Sequence, residues 1–307
     1  MTERKRILTI LGAGVWGCAL ATLASRNHCE VRSWSRRSSA TLSSAVSGAD
    51  ILLSAVSIGG VRPTIEKLLK IKISHSPILV TATKGLDPLT TGTPSQIWQE
   101  AFPQYPLVVL SGPNLSEEIE QGLPAATVVA SSDLKAAETV QSTLANDSFR
   151  VYVNDDPLGT ELGGTLKNVM AIAAGVCDGL KLGTNAKAAL LTRALPEMIR
   201  VGTCLGATSS TFFGLSGLGD LLATCNSPLS RNYQVGYRLA QGQSLEQTLA
   251  ALKGTAEGVN TTKVLMEIAS SEGLRVPITQ EVYGLLEGKT TPRQTVRALM
   301  ERGLKPE

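Results

Sequence analysis

Short apolar segments alternate with segments of helical spacing through the first half of the chain. An apolar run bounded by polar or glycine-rich residues predicts a strand, whereas apolar positions that recur at helical intervals predict a helix. The regular alternation of the two predicts an α/β fold with a doubly wound (Rossmann) parallel sheet. Seven runs are predicted as strands: RILTILG, EVRSWS, DILLSAV, PILVTAT, PLVVLSG, PAATVVA and FRVYV.

The pattern changes after Val153. From there the chain shows consecutive helical segments punctuated by glycine and proline, and the stretch 154–157 (NDDP) is the expected joint. We therefore expect two domains, an α/β domain over residues 1–154 and an all-helical domain over residues 155–307.

The amino-terminal region imitates a signal peptide or a membrane span. Basic residues at 4–6 precede an uncharged run over residues 7–25, which is the usual pattern of such segments. The glycines of the GAGVWG motif at 12–17, however, fall where a short strand should turn into a helix. We therefore expect this run to be folded, with neither cleavage nor a membrane span.

Composition and charge favour a globular protein. The chain is 43% hydrophobic and 18% charged, which excludes extensive disorder. Its net charge of +3 comes from interspersed residues and is too small to indicate nucleic-acid binding, although a local pocket for a small anion fits.

The cysteines and histidines restrict the chemistry further. The cysteines are odd in number, widely spaced and without metal-ligand spacing, so we expect reduced thiols, no metal site and a cytoplasmic location. With only His28 and His75 available, we expect proton transfer to be carried by a lysine or a carboxylate. The cysteines are Cys18, Cys29, Cys177, Cys204 and Cys225.

The sequence GAGVWG gives a G-x-G-x-x-G motif directly after the first predicted strand and before a predicted helix. Gly12 allows the tight turn, Gly14 allows the backbone to approach a pyrophosphate, and Gly17 allows close helix packing. The helix N-terminus supplies N–H groups for the anion. Because the strand, the turn and the helix agree, we predict dinucleotide binding rather than an ordinary glycine-rich turn.

The end of the second predicted strand bears on the choice of dinucleotide. An NAD site usually has an acidic residue here, whereas this chain has Ser35, Arg36 and Arg37. A guanidinium can bind a 2′-phosphate bidentately, so Arg36 predicts a preference for NADP(H). The alternative is a solvated surface arginine, which we favour for Arg37.

Two further predicted strands end in polar residues. Ligands of doubly wound sheets bind beyond the carboxyl ends of the strands, which favours a ligand role for Lys84 after PILVTAT. After PLVVLSG, Asn114 is expected to cap a helix, with Glu117 at the third position. The alternative for Lys84 is a solvated loop lysine.

The segment PLSRN at 228–232 is a second candidate anion site. Ser230 is a natural N-cap, and Arg231 falls in the first helical turn, where a cation opposes the helix dipole. A bound phosphate would compensate that charge, although a capped surface helix with a solvated arginine is an equally good interpretation.

Lys167 lies in an otherwise apolar, small-residue helix, GGTLKNVMAIAAG. Burying an ammonium is costly unless a partner is present, so a packing role does not explain this residue. An acid or base that works at neutral pH needs a pKa of about 7 to 8, and we expect burial on this apolar helix to lower the pKa of Lys167 toward that range.

Taken in order, the motifs cover nearly the whole chain and resemble those of the NAD(P)-dependent glycerol-3-phosphate dehydrogenases. This resemblance implies a dinucleotide-binding Rossmann domain followed by a helical substrate-binding and catalytic domain. It also implies interconversion of dihydroxyacetone phosphate and sn-glycerol 3-phosphate, which supplies glycerol phosphate for phospholipid synthesis. The motifs are GAGVWG, ATKGLD, SGPN, ELGGTLKNVMAIAAGVCDGL, NAKAALLTRALPEM, FFGLSGLGDLLATC, SRN and GTAEGV.

The resemblance also implies roles for individual residues. Lys167 would be the catalytic acid/base, with Asp220 and Asn168 orienting it and the substrate. Lys84 would reach both cofactor and substrate. The other implied substrate contacts are Gly112, Asn114, Ser230, Arg231 and Asn232, and the other implied cofactor contacts are Val15, Trp16, Ser116, Arg231 and Glu257.

Two departures from the family pattern affect these implications. The segment after Arg37 is shorter than usual, which would leave the adenine side of the pocket more open and weakens the argument for NADP(H). The position of Asn114 is commonly a small hydroxyl residue, so the reach of its hydrogen bond differs.

Two alternative functions keep the same architecture. One is a hydroxyacid reductase that uses the same lysine and binds a carboxylate at residues 230–232. The other is a non-catalytic redox sensor that binds NADP(H), which would leave Lys167 and Asp220 without a purpose. Apolar helices in the second half are compatible with a homodimer.

Overall fold

The computed structural model describes residues 4–73, 75–252 and 254–301. Each of the seven predicted runs forms a strand of one sheet, so the strand predictions are confirmed. The strands are β1 (Arg6–Leu11), β2 (Cys29–Trp34), β3 (Ile51–Ser54), β4 (Ile78–Thr81), β5 (Leu107–Ser111), β6 (Ala125–Ala130) and β7 (Phe149–Asn154).

The strand order is β2-β1-β3-β4-β5-β6-β7. The chain thus adds β2 on one side of β1 and then adds β3 to β7 on the other side. All neighbours pair in parallel except β5 and β6, which are antiparallel, and the prediction of a wholly parallel sheet is corrected there. The helix between them, α5 (Ser116–Glu120), has five residues. Such a helix spans only about 7 Å, which is too short to carry the chain back along a strand for parallel pairing.

Helices cover both faces of this sheet. One core includes Leu20 and Val140 and joins the sheet to α1 and α6, whereas the other includes Val61 and Trp98 and joins it to α3 and α4. These helices are α1 (Val15–Ser25), α2 (Leu42–Val46), α3 (Ile58–Leu68), α4 (Pro94–Ala101) and α6 (Leu134–Leu144).

The amino-terminal apolar run is folded, as predicted, into β1 and α1. In the part of the chain that the structure describes, no helix has both the length and the apolar character needed to cross a bilayer.

After β7, the described residues contain helices and no strand, in agreement with the predicted helical second half. They begin with the long helix α7 (Pro157–Gly179), and include a 3-10 turn (Ser209–Phe213) and a π turn (Leu215–Gly219). The remaining helices are α8 (Thr184–Cys204), α9 (Asp220–Cys225), α10 (Arg231–Ala240), α11 (Leu245–Ala251), α12 (Glu257–Ser271), α13 (Pro277–Leu286) and α14 (Pro292–Met300).

Two adjacent glycines allow α7 to lie at the centre of the molecule. A Cβ at Gly164 would clash with the hydroxyl of Ser111 at the end of β5, and a Cβ at Gly163 would lie 2.7 Å from the carbonyl oxygen of Ser216 in the π turn. Glycine therefore brings α7 against the carboxyl edge of the sheet on one side and against the segment that precedes α9 on the other.

We predict that Gly163→Ala lowers the free energy of unfolding by about 1–3 kcal/mol, because the atoms that the new methyl group meets belong to the backbone and cannot rotate away. The matched control is Gly59→Ala, since a Cβ at this helical glycine meets nothing within 4 Å. Its alanine should leave the stability unchanged or raise it by about 0.5–1 kcal/mol. Chemical denaturation of both variants measures the difference, and equal stabilities would contradict the packing argument.

Candidate active site

The glycine-rich turn between β1 and α1 requires glycine at two positions. Gly12 has φ +118°, and a Cβ there would lie 2.9 Å from the backbone of Ala55. Its N–H donates to the carbonyl oxygen of Trp34 at 2.7 Å, which fixes the end of β2 beside the turn. A Cβ at Gly17 would clash with the carbonyl oxygen of Gly12. Both glycines are therefore explained by close packing within the protein.

Gly14 has a different environment. A Cβ there would meet nothing within 4 Å, so packing within the protein does not require this glycine. Gly14 is the N-cap of α1, and no side chain caps the helix. The next residue, Val15, is 60% exposed, while Trp16 is half-buried. The first N–H groups of α1 therefore face open space, an arrangement that suits an anion such as a pyrophosphate.

Arg36 and Arg37 lie in the tight turn that follows β2, and both are exposed. Neither guanidinium has a hydrogen bond or an ion pair with the residues that the structure describes. Because the end of β2 is bonded to Gly12, this turn lies beside the glycine-rich turn.

Lys167, Asp220 and Lys84 form a buried cluster where the two halves of the chain meet. The Nζ of Lys167 donates to Asp220 Oδ1 at 2.9 Å, and the Nζ of Lys84 donates to Asp220 Oδ2. The side chain of Lys167 is 8% exposed and that of Asp220 is 2% exposed, whereas Lys84 is 20% exposed. One carboxylate therefore holds two ammonium groups, of which one is nearly enclosed.

The surroundings change the titration of both partners. Burial lowers the pKa of Lys167 to about 8, because the positive charge of Lys84 adds to the effect of burial while Asp220 only partly opposes it. Burial alone would raise the pKa of the Asp220 carboxyl, but Lys167 and Lys84 outweigh it and hold this pKa below its usual range. The expectation that the pKa of Lys167 is lowered is confirmed.

Thr224 completes this cluster, and the sequence analysis missed it. Its hydroxyl lies against the Nζ of Lys167 and donates to Asp220 Oδ1 at 3.0 Å. Asp220 and Thr224 are four residues apart at the start and near the end of α9, directly after the π turn. The i, i+4 spacing is the signal that could have identified Thr224 once Asp220 was placed on a helix.

The SGPN segment lies next to Lys84, because the carbonyl oxygen of Gly112 is 3.3 Å from the Lys84 Nζ. The predicted helix cap at Asn114 is wrong, since α5 begins after Leu115 and has no side-chain cap. Asn114 instead donates through Nδ2 to Thr127 Oγ1 at 2.9 Å. Its Oδ1 is buried and has no hydrogen-bond partner among the described residues. Ser116 opens α5 and is half-buried.

The predicted N-cap at Ser230 is confirmed, since its hydroxyl accepts from the N–H of Tyr233 at 3.2 Å. Asn232 is buried, and its Oδ1 accepts from the N–H of Gly258 at 2.9 Å, which joins α10 to the start of α12. A Cβ at Gly258 would lie 2.7 Å from the carbonyl oxygen of Asn168 on α7. These three helices therefore meet close to Lys167.

Arg231 lies at the first position of α10, which confirms its predicted place in the first helical turn, and it is exposed. Glu257, at the start of α12, lies next to Gly85 of the sheet half. Burial raises the pKa of Glu257, opposed by a hydrogen bond from Thr255 and by the charge of Arg231. The start of α12 thus reaches from the helical half to the segment that carries Lys84.

The structure places the predicted residues in two groups at one edge of the sheet. The glycine-rich turn with Arg36 lies at the ends of β1 and β2, and the Lys167 cluster lies at the ends of β4 and β5. Among the described residues, no three or more His, Cys, Asp or Glu side chains are arranged to hold a metal ion. The arrangement can bind an anion at α1 and exchange a proton through Lys167.

Comparison with protein families gives matches along most of the chain. Residues 7–42 and 37–137 match the family model described as NAD-dependent glycerol-3-phosphate dehydrogenase N-terminus, and residues 156–297 match the corresponding C-terminus.

The relatives agree with these matches. A glycerol-3-phosphate dehydrogenase (NAD(P)+) of Synechocystis sp. is 64% identical over 98% of this chain and 95% of its own length. One of Acaryochloris marina is 62% identical over 98% of this chain and 97% of its own length. The crystal structure of glycerol-3-phosphate dehydrogenase from Coxiella burnetii superposes with a TM-score of 0.93 at 33% identity, covering 97% of this chain and 99% of that one. The chain therefore belongs to the NAD-dependent glycerol-3-phosphate dehydrogenase family.

Proposed function

We propose that this protein is an NAD(P)H-dependent oxidoreductase that interconverts dihydroxyacetone phosphate and sn-glycerol 3-phosphate. The proposal is supported by two relatives named glycerol-3-phosphate dehydrogenase (NAD(P)+), which are 64% and 62% identical to this chain. The observation that carries it is the nearly enclosed ammonium of Lys167, paired with Asp220 where the two halves meet. Oxidoreduction of an alcohol requires a proton to move at the oxygen, and Lys167 supplies a group with a suitable pKa of about 8.

The glycine-rich turn fits a dinucleotide. The open space over Gly14 and the uncapped first turn of α1 suit a pyrophosphate, with Val15 and Trp16 beside it. When it is bound, the nicotinamide supplies or accepts the hydride at the second carbon of the substrate. Further cofactor contacts are proposed for Arg36, Lys84, Ser116, Arg231 and Glu257.

We assign proton transfer, positioning and substrate binding to different residues of the cleft. Protonated Lys167 donates to the C2 oxygen during ketone reduction, and the neutral amine accepts the hydroxyl proton during alcohol oxidation. Asp220 and Thr224 hold the Nζ of Lys167 in place. The substrate contacts are proposed for Lys84, Gly112, Asn114, Ser230, Arg231 and Asn232, with Arg231 binding the phosphate at the start of α10.

The deciding experiment is an NADPH-oxidation assay with dihydroxyacetone phosphate beside 2-keto and 3-keto acids. We expect turnover of the triose phosphate only. Turnover of the keto acids alone would favour a hydroxyacid reductase, and NADPH binding without any turnover would favour a redox sensor.

We predict that Lys167→Ala lowers kcat about 10²- to 10⁴-fold, because the proton donor is lost, while NADPH still binds. Lys187→Ala is the matched control, since Lys187 is also ion-paired, to Asp178 at 2.6 Å, but lies outside the cluster. Steady-state kinetics and NADPH fluorescence titration measure the two effects. Near-normal turnover of Lys167→Ala would remove the proposed role.

The pH dependence should have opposite signs in the two directions. Below a pH of about 8, Lys167 of the free enzyme is protonated and can donate, so kcat/KM for ketone reduction should fall as the pH rises through this value. Alcohol oxidation needs the neutral amine, so its kcat/KM should rise through the same range. Rates that change in the same sense in both directions would contradict the assignment to Lys167.

Arg36 carries the proposed preference for NADPH. Loss of its contact to the 2′-phosphate in Arg36→Ala should raise KM for NADPH about tenfold and leave KM for NADH unchanged. Arg37→Ala is the matched control, because Arg37 is the adjacent arginine and is also exposed. Equal KM values for NADPH in the wild type and Arg36→Ala, or a wild-type preference for NADH, would end this part of the proposal.

We also expect a homodimer in the cytosol. The cytosolic location is supported by five cysteines that are all unpaired. Sedimentation of the full chain tests the dimer, which should show twice the chain mass of 32.3 kDa.

A further inference from the structure

Glu161 is a buried carboxylate that the proposed reaction does not use. It lies on α7 and is 2% exposed. Its Oε1 accepts from the backbone N–H of Ser95 at 2.9 Å, and its Oε2 accepts from the Ser95 hydroxyl. Its hydrogen-bond donors are thus Ser95 and the Thr93 side chain, and Glu161 forms no ion pair with the described residues. Burial raises the pKa of Glu161 to about 7, so its ionised form is costly to keep.

Glu161 supplements the local capping of α4, because it accepts from the N–H of Ser95, which the capping box leaves without a partner. Ser95 lies in the first turn of α4, and that helix already has its own capping box between Thr93 and Gln96, with Pro94 at its first position. The start of α4 is therefore well specified by local sequence. What Glu161 adds is a connection between α4 and α7, which are remote in sequence.

This connection lies at one end of the segment that carries Lys84. The segment, residues 82–93, runs from the end of β4 to the start of α4, and contacts in addition to the Lys84–Asp220 ion pair hold it to the helical half. The N–H of Gly85 donates to Thr165 Oγ1 at 3.1 Å, and the carbonyl oxygen of Leu86 accepts from Asn260 Nδ2 at 3.0 Å. Glu161 binds the far end at Ser95.

Two of these contacts come from one face of α7. Glu161 and Thr165 are four residues apart, so they lie one turn apart on the same side of the helix. Lys167 is on the same helix, and Gly164 lets α7 approach the Lys84 side chain, since a Cβ there would lie 3.3 Å from the Lys84 Cε. One rigid element therefore carries Lys167 and also holds both ends of the Lys84 segment.

We propose that Glu161 is a positioning residue, which fixes the Lys84 segment on α7 and thereby sets Lys84 at the distance from Asp220 and Lys167 that the reaction requires. The inference rests on the proposed function, because it assigns Glu161 a role in the same site.

The test is Glu161→Gln in the full chain. Glutamine keeps the size of the side chain but is neutral and has one acceptor oxygen, so the charge-assisted bonds are lost and the Ser95 hydroxyl must turn to accept from the amide. We expect kcat for dihydroxyacetone phosphate reduction to fall about tenfold or more, since small misplacements of a contacting group are costly, while KM for NADPH changes less than about twofold. An unchanged kcat would overturn the proposal.

The matched control is Glu197→Gln. Glu197 is also 2% exposed, and it likewise accepts from a backbone N–H and the hydroxyl of one residue, Thr279, near the start of another helix. Glu197 lies on α8 and joins it to α13, and neither helix carries the Lys84 segment. If the two carboxylates are only structural, both variants lower the melting temperature and neither changes kcat. A loss of kcat in Glu161→Gln alone supports positioning.

A double-mutant cycle tests the route through Lys84. In a Lys84→Ala background, Glu161→Gln should cost less than about threefold in kcat, because the group that it positions is absent. The same loss in both backgrounds would contradict the proposal.

If Glu161→Gln does not fold, Ser95→Ala takes its place. It removes only the hydroxyl that donates to Glu161, and its effect on kcat is compared in the wild-type and Lys84→Ala backgrounds in the same way. The Lys167→Ala result is independent, so failure of the proposed function and failure of this inference can be distinguished.

Discussion

The ion pair between Lys167 and Asp220 is the interaction on which the rest of the site depends. A nearly enclosed ammonium is stable only with a close negative partner, and Asp220 Oδ1 at 2.9 Å provides it. The same carboxylate also holds Lys84, which comes from the other half of the chain. Through its second oxygen, Asp220 therefore joins the helical half to the sheet half, and the amine of Lys167, with a pKa of about 8, lies at this junction.

The central helix α7 makes this junction possible. Its adjacent glycines let it contact both the end of β5 and the π turn that leads into Asp220. Side chains larger than hydrogen at these positions would separate the elements that carry the cluster. The apolar, small-residue character that makes Lys167 conspicuous in the sequence is thus the same property that allows the surrounding backbones to approach it.

Much of the fold follows from the sequence because the signals are local. Short apolar runs and the GAGVWG turn predict the strands and α1 correctly, since their periodicity and their glycines act within a few residues. The antiparallel pairing of β5 and β6 is not visible in this way, because it depends on the length of α5 and not on the strands themselves. Asn114 has the spacing of a helix N-cap in the sequence, but its side-chain amide donates to Thr127 in the structure.

Contacts between distant residues are what the sequence could not provide. Glu161 and Ser95 are 66 residues apart, and nothing in either segment indicates the other. Thr224 differs, because its position follows from Asp220 as soon as α9 is recognised. The resemblance to a family identified most candidate residues, but it did not show which neighbours hold them.

The reversed strand β6 has a consequence for how the edge of the cleft is assembled. Because β6 runs against β5, its beginning lies beside the end of β5, and Thr127 meets both the carbonyl oxygen of Ser111 and the amide of Asn114. These hydrogen bonds of the SGPN segment thus join residues within one short stretch of chain. Closing so short a loop costs little chain entropy, so these bonds at the edge of the cleft do not depend on the carboxyl-terminal helices for their geometry.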